Sequence, residues 1–292
     1  MRRTSTKVLR IIGLAVLTLS LAACSAFKLI YGQLPDMAYW WIDSYVDFNE
    51  AQSPRVRREW ADLHAWHRAN ELPRYLALVQ RMQVLAAQPA ISPEQACEIA
   101  DAARLRYAAL APQIEPAAAW LAQNLTASQL THLQAKFDKN NEAWSKDWLR
   151  GSAEDRLKRR VKQAVDRAEM LYDRLSDAQI EALRGELSRS SYNAQTLWAE
   201  RLRRQQDIGQ TLRQTSSGQM QPASIREAVH GLLARTIDSP NTAYRRYVDQ
   251  TQRENCAIFS RLHASITPAQ RAAALENLKR YEDDFRALMA AR

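Results

Sequence analysis

Leu175-Ser176-Asp177-Ala178-Gln179 is followed by Ile180, Leu183 and Leu187. An apolar residue, a hydroxyl, two residues and a glutamine make a helix start. The hydroxyl accepts from the amide three residues on. The glutamine reaches back to the amide of the hydroxyl residue, so two donors that a helix N-terminus leaves unpaired are satisfied together. The residue ahead of the cap packs on the fourth helical position, here Leu175 on Ile180. Steps of three and four then put Ile180, Leu183 and Leu187 on one face.

The pattern occurs three more times: Ile91-Ser92-Pro93-Glu94-Gln95, Leu125-Thr126-Ala127-Ser128-Gln129 and Ile266-Thr267-Pro268-Ala269-Gln270. The capping pairs are therefore Ser92 with Gln95, Thr126 with Gln129, Ser176 with Gln179 and Thr267 with Gln270. Leu130 completes the apolar staple of the second copy. Ala96 and Arg271 stand there in the first and last, which weakens theirs. Proline at the first helical position of those two copies suits a start, because the amide it lacks has no partner there. The starts are unevenly spaced, so no solenoid period is indicated.

Helical spacing continues outward from each start. It runs through Leu130, Leu133, Phe137, Trp144 and Trp148, and through Leu157, Val161, Val165, Ala168 and Leu171. After Ser176 it continues to Ala194 and Leu197, and after Thr267 it takes in Leu275, Leu278, Tyr281, Phe285 and Leu288. Trp144, Trp148 and Trp198 are expected at the surface. Pro54–Asn70 and Pro73–Ala87 also read as helices. Polar breaks fall at 214–223 and at Asp238–Asn241. The chain holds only 7 Gly and 10 Pro, and alternating β-branched runs are almost absent. The expected fold is all-α, an elongated antiparallel multi-helix bundle or cradle with no sheet.

The first residues read as an address. Arg2, Arg3, Lys7 and Arg10 precede an apolar stretch from Ile11 to Leu21, which is about half of what a membrane-spanning helix needs. Leu21-Ala22-Ala23-Cys24 follows. A cationic start, an apolar stretch and a small-residue exit compose an export signal. The exit resembles the lipobox of bacterial lipoproteins. That resemblance implies a diacylglycerol thioether on Cys24, cleavage after Ala23 and acylation, for example by palmitate, of the new amine. Ser25 in place of Asp resembles an outer-membrane address facing the periplasm. The expected organisation is a signal peptide over 1–23, a lipidated N-terminus with an aromatic-rich first helix over 24–52, and a helical body over 53–292.

The address changes how charge and cysteines are read. The formal charge is +9, and four of those cations belong to the signal. Outside the cytoplasm a basic surface points to lipid headgroups, lipopolysaccharide or peptidoglycan, or to plain solubility, and no nucleic-acid partner is expected. Cys24 is taken by lipid. Cys97 and Cys256 remain, either as one disulfide in an oxidising compartment or as two buried thiols. Tyr39-Trp40-Trp41 and Tyr45 suit a membrane–water boundary or, with Asp43 and Asp47 on a wet face, a buried helix.

Sites of chemistry are few. His-Glu-x-x-His, Gly-x-Ser-x-Gly, a glycine-rich phosphate loop and Cys-x-x-Cys are all missing. His64, His67 and Glu71 share a helix face at metal-ligand spacing, which surface or capping roles explain equally. Asp43, Asp47 and Glu50 share another face, as acid–base partners or as a solvated stripe neutralised by Arg55, Arg57 and Arg58. No catalytic residue and no cofactor are assigned.

Two resemblances follow. The four helix starts resemble the LTxxQ motif of Spy/CpxP-type periplasmic proteins, whose antiparallel helices form a cradle and which act as holdase chaperones or stress regulators. This chain is longer and carries a lipobox. The lipobox with Ala38-Tyr39-Trp40-Trp41-Ile42-Asp43, Tyr45-Val46-Asp47-Phe48, Leu63-His64-Ala65-Trp66-His67-Arg68 and Glu71-Leu72-Pro73-Arg74-Tyr75 resembles an uncharacterised family of proteobacterial lipoproteins over nearly the whole chain. The expectation is an outer-membrane-anchored periplasmic lipoprotein without enzymatic activity. It would bind envelope proteins or unfolded clients between its helices. The alternatives are a structural protein binding lipopolysaccharide or peptidoglycan, and a metal-binding or hydrolytic enzyme.

Overall fold

The computed structural model describes residues 27–291. The signal segment, Leu21, Ala22, Ala23 and Cys24 lie outside them. The described residues form helices joined by short turns, with no strand among them: an all-α bundle.

In chain order the helices are α1 (27–46), α2 (Ser53–Asn70), α3 (Leu72–Ala86), α4 (Pro93–Ala108), α5 (Ala111–Gln123) and α6 (Ala127–Trp148). Then come α7 (Ala153–Tyr172), α8 (Asp177–Arg189), α9 (Ala194–Thr215), α10 (Pro222–Ile237), α11 (Thr242–Ala264) and α12 (Pro268–Ala290). All four quoted starts carry both bonds of a capping box. A fifth opens α7, where Ser152 pairs with Asp155 in place of a glutamine.

The glutamines do more than cap. Gln179 and Gln270 donate to each other's Oε1 at 2.9 and 3.0 Å. Gln179 Nε2 also donates to the Ser265 carbonyl, and Gln270 Nε2 to that of Arg174, each two residues ahead of the partner's cap. The same knot recurs between Gln129 and Gln52. Gln129 Nε2 donates to Gln52 Oε1 and to the Asp47 carbonyl, while Gln52 Nε2 donates to the Asn124 carbonyl. Asn49 and Gln52 bond each other's amides as a capping pair does. Each knot ties two helix junctions together, α1/α2 to α5/α6 and α7/α8 to α11/α12. All four glutamines are buried. Gln95 joins no such pair; the carbonyl of Ile91 beside it accepts from Ser260 instead.

Apolar faces close the bundle between these ties. Val161, Tyr172, Leu175, Leu183, Leu187, Ile258 and Leu262 form one core between α7, α8 and α11. Helix α12 packs on α3 through Leu278, which is 2% exposed, and Val79. Ala119, Ala122, Ile225 and Val229 join α5 to α10.

Several expectations are corrected. The helical spacing read from Ile180 to Leu197 crosses the end of α8, so Ala194 and Leu197 belong to α9. The polar break narrows to the residues between Thr215 and Pro222. Trp144, Trp148 and Trp198 are half-buried, and Trp144 stacks on Trp198 with ring centroids 5.3 Å apart. Asp43, Asp47 and Glu50 do not share a helix face, because α1 ends at residue 46 and Asp47 sits at φ 58°. Asp43 is instead spent as the acceptor of the Phe48 amide.

A candidate functional site under the disulfide

Cys97 on α4 and Cys256 on α11 are disulfide-bonded, with Cα atoms 5.4 Å apart. Ala96, Ala100 and Ala103 lie on α4 beside the bond and line the space below it. Below it, α3, α4, α7, α11 and α12 enclose a cavity of about 660 Å³. That volume lies within the range of small-molecule sites. Leu78, Met82 and Leu85 come from α3, Ile99 from α4, and Val248 and Phe259 from α11. Helical spacing explains the lining, since α3 turns Leu78, Met82 and Leu85 to one side.

Two polar groups of the wall, Tyr172 and His263, are bonded internally. Tyr172 Oη and His263 Nδ1 are 2.9 Å apart, and His263 Nε2 is 3.0 Å from the Gln88 carbonyl. Arg271 Nη1, a donor only, also lies 3.1 Å from Nε2, so the tautomer of the ring decides whether Nε2 donates to Gln88 or accepts from Arg271. Burial and the neighbouring Arg271 hold His263 below its ordinary value, which keeps the ring neutral. Burial pushes the Tyr172 phenol up. The Arg271 guanidinium donates to the carbonyls of Ala86, Gln88 and Pro89 and so fastens the turn before α4. What the cavity offers an occupant is therefore shape and apolar surface, not an acid, a base or a nucleophile.

Beside it lies a second cleft of about 640 Å³ between α6, α7, α8, α9 and α11. Leu171, Asn255 and Phe259 line both spaces, so those side chains form the partition. The stacked Trp144 belongs to the second cleft, which is why it is not a surface residue.

The metal reading of His64, His67 and Glu71 is corrected. Among the described residues no three His, Cys, Asp or Glu side chains converge as a metal site would require. Pro35 lies within α1 and has no N–H, so the Tyr31 carbonyl lacks its helical donor. His64 Nε2 supplies it at 3.0 Å. The Tyr31 hydroxyl in turn lies 3.0 Å from His67 Nδ1. Both rings thus dock α1 onto α2, and burial holds both below the ordinary histidine value. Glu71 is fully buried, with Arg74 at 3.0 Å and Arg106 at 3.6 Å. The sequence could not disclose this, because Arg106 is 35 residues away in the chain.

No curated protein matches the chain, and no solved structure does. The likeness of the helix starts to Spy/CpxP-type proteins therefore gains no relative. The profile of a family of unknown function (DUF6279) matches residues 44–231, more than half of the chain, and the chain belongs to that family.

Proposed function

We propose that the chain is a lipid-anchored protein of the periplasmic face of the outer membrane that binds apolar segments of other proteins and performs no chemistry on them. One observation carries the binding part. The cavity beneath Cys97–Cys256 is mostly apolar, and on its wall Tyr172 pairs with His263, whose other ring nitrogen faces the Gln88 carbonyl. A site of this kind selects for apolar bulk and tolerates variety, since apolar side chains make up most of its wall. The clefts between capped helices suit an apolar side chain or a short amphipathic stretch of a client. The anchoring part rests on Leu21-Ala22-Ala23-Cys24 and on the cationic and apolar residues before it.

The test is a client assay with a plug. Ala100 lies on the exposed side of α4 and lines the cavity. The native chain is expected to delay aggregation of a denatured protein and to enhance the emission of an apolar dye such as N-phenyl-naphthylamine. Ala100→Trp should fill the mouth and lose both effects with its helix content intact. A native chain that does neither removes the proposal.

A further inference from the structure

Helix α1 is apolar on two sides, and only one packs on the body. Tyr31, Tyr39 and Val46 fall on the inner side and are buried. At about 100° per residue, Leu29, Ile30, Leu34, Met37, Trp40 and Trp41 fall within an arc of roughly 140° on the outer side. All six are exposed, Leu29 by 65%, Trp40 by 59% and Trp41 by 60%. The other residues of the arc are Gln33 and Ser44, so it contains no charge.

The edges of the arc are built differently. Asp36 pairs with Arg57 at 3.3 Å, and Asp43 accepts the Phe48 amide. The Arg57 guanidinium lies 3.6 Å above the Tyr39 ring and 4.9 Å from the Trp40 ring. An indole beside a cation on the flank of the arc, with Met37 and Ile30 at its middle, matches a bilayer surface, where aromatic rings sit at headgroup level and aliphatic groups sit deeper. From Leu29 to Trp41 the arc runs about 18 Å along the helix. No described helix is long and apolar enough to cross a membrane. The arc therefore fits a helix lying in the plane of the surface.

We infer that the outer face of α1 rests on the phospholipid bilayer, with Met37 and Ile30 at the middle of the arc turned toward the acyl chains and Trp40, Trp41, Leu29 and Leu34 on its flanks nearer the headgroups. The inference rests on the proposed lipid anchor for what brings α1 to the membrane. Cys24 precedes Leu29 by five residues, a span of at most ~18 Å. Contact along α1 would hold the body in one orientation, where a lipid anchor alone would let it tumble.

The full-length chain, reconstituted in phosphatidylethanolamine–phosphatidylglycerol vesicles with brominated acyl chains, gives the test. Bromine quenches only tryptophans that reach the lipid. The native chain should be quenched relative to plain vesicles. Trp40→Phe with Trp41→Phe keeps the face apolar, removes two of the 8 tryptophans and should lose most of the quenching. Absent quenching in the native chain, or quenching that survives in the double variant, overturns the inference. So does a native chain that is unquenched and dimeric but becomes monomeric with Leu34→Glu, which assigns the face to a second copy. Mass spectrometry of Cys24 in the same sample separates the two ideas. An acylated Cys24 without quenching sinks the inference and leaves the anchor. Quenching without acylation supports the bilayer contact and removes the anchor.

Discussion

Gln179 and Gln270 hold each other by both ends of their side-chain amides, at 2.9 and 3.0 Å, although 91 residues separate them. Each also caps its own helix and reaches a carbonyl ahead of the other's cap. Every donor and acceptor of the two buried amides is used. Truncating one leaves the other with unpaired polar atoms away from water. Gln179→Ala should therefore cost about 1–3 kcal/mol in unfolding free energy. Removing both should cost less than the sum of the single changes, with a coupling of roughly 0.5–3 kcal/mol. Urea unfolding of the two single variants and the double variant checks this. Strict additivity would mean that the pair contributes nothing as a pair.

The sequence disclosed the caps but not the knots. Apolar-Ser/Thr-x-x-Gln is a local pattern, and local bonds follow from it directly. Nothing in the chain says that Gln179 meets Gln270, or that Gln129 meets Gln52, whose own cap is Asn49 and so breaks the pattern. The helical faces around Leu183, Leu278 and Phe137 were legible because burial repeats at the helical period. The end of α8 at Arg189 was not, since the four residues after it contain neither glycine nor proline and the apolar spacing continues across them. The cavity was invisible for the same reason as the knots. Five helices from three parts of the chain enclose it. With Cys24 read as the lipid site, Cys97 and Cys256 were legible as candidates for a bond, though not as bonded. The histidines pointed to metal by spacing, but their partner Tyr31 lies on another helix and is explained by Pro35.

The disulfide closes a loop between residues 159 apart, joining α4 to α11. Bonds that close long loops remove much freedom from the unfolded chain. Replacing Cys97 and Cys256 by serine should lower stability by about 2–4 kcal/mol. Comparing denaturation midpoints of the native chain with and without reductant, and of the double variant, gives the measurement. A reduced chain as stable as the oxidised one would show that packing of α4 on α11 already fixes the loop.

Acid should weaken the fold in two stages. His64, His67 and His263 are all held below their ordinary value of 6.5 by burial. Below about pH 6.5 the unfolded chain binds protons that the folded chain does not, so stability falls as the pH falls. Above that value both states carry neutral rings, and these groups add no pH dependence. Glu282 acts lower. The amides of Gln83 and Gln80 and the Arg286 guanidinium hold its carboxyl down to about 2 from 4.5, so its share is lost between those values. Unfolding midpoints at pH 7.5, 6 and 5 should decline in order, and His263→Asn should flatten the decline. A midpoint that rises on acidification would contradict the buried, neutral rings.

Pro35 and His64 make the most specific prediction, because one residue creates the need that the other meets. The proline removes the donor for the Tyr31 carbonyl, and His64 Nε2 replaces it at 3.0 Å. His64→Ala leaves a carbonyl inside the α1–α2 contact without a partner and removes a ring 4.6 Å from that of Tyr31. The expected loss is about 1–3 kcal/mol. In a Pro35→Ala background the amide at position 35 can take the carbonyl back, so His64→Ala should cost less there. The ring contact is lost in both backgrounds and cancels from the comparison, which isolates the hydrogen bond. An equal cost in both backgrounds would show that His64 holds α1 by its ring contact alone.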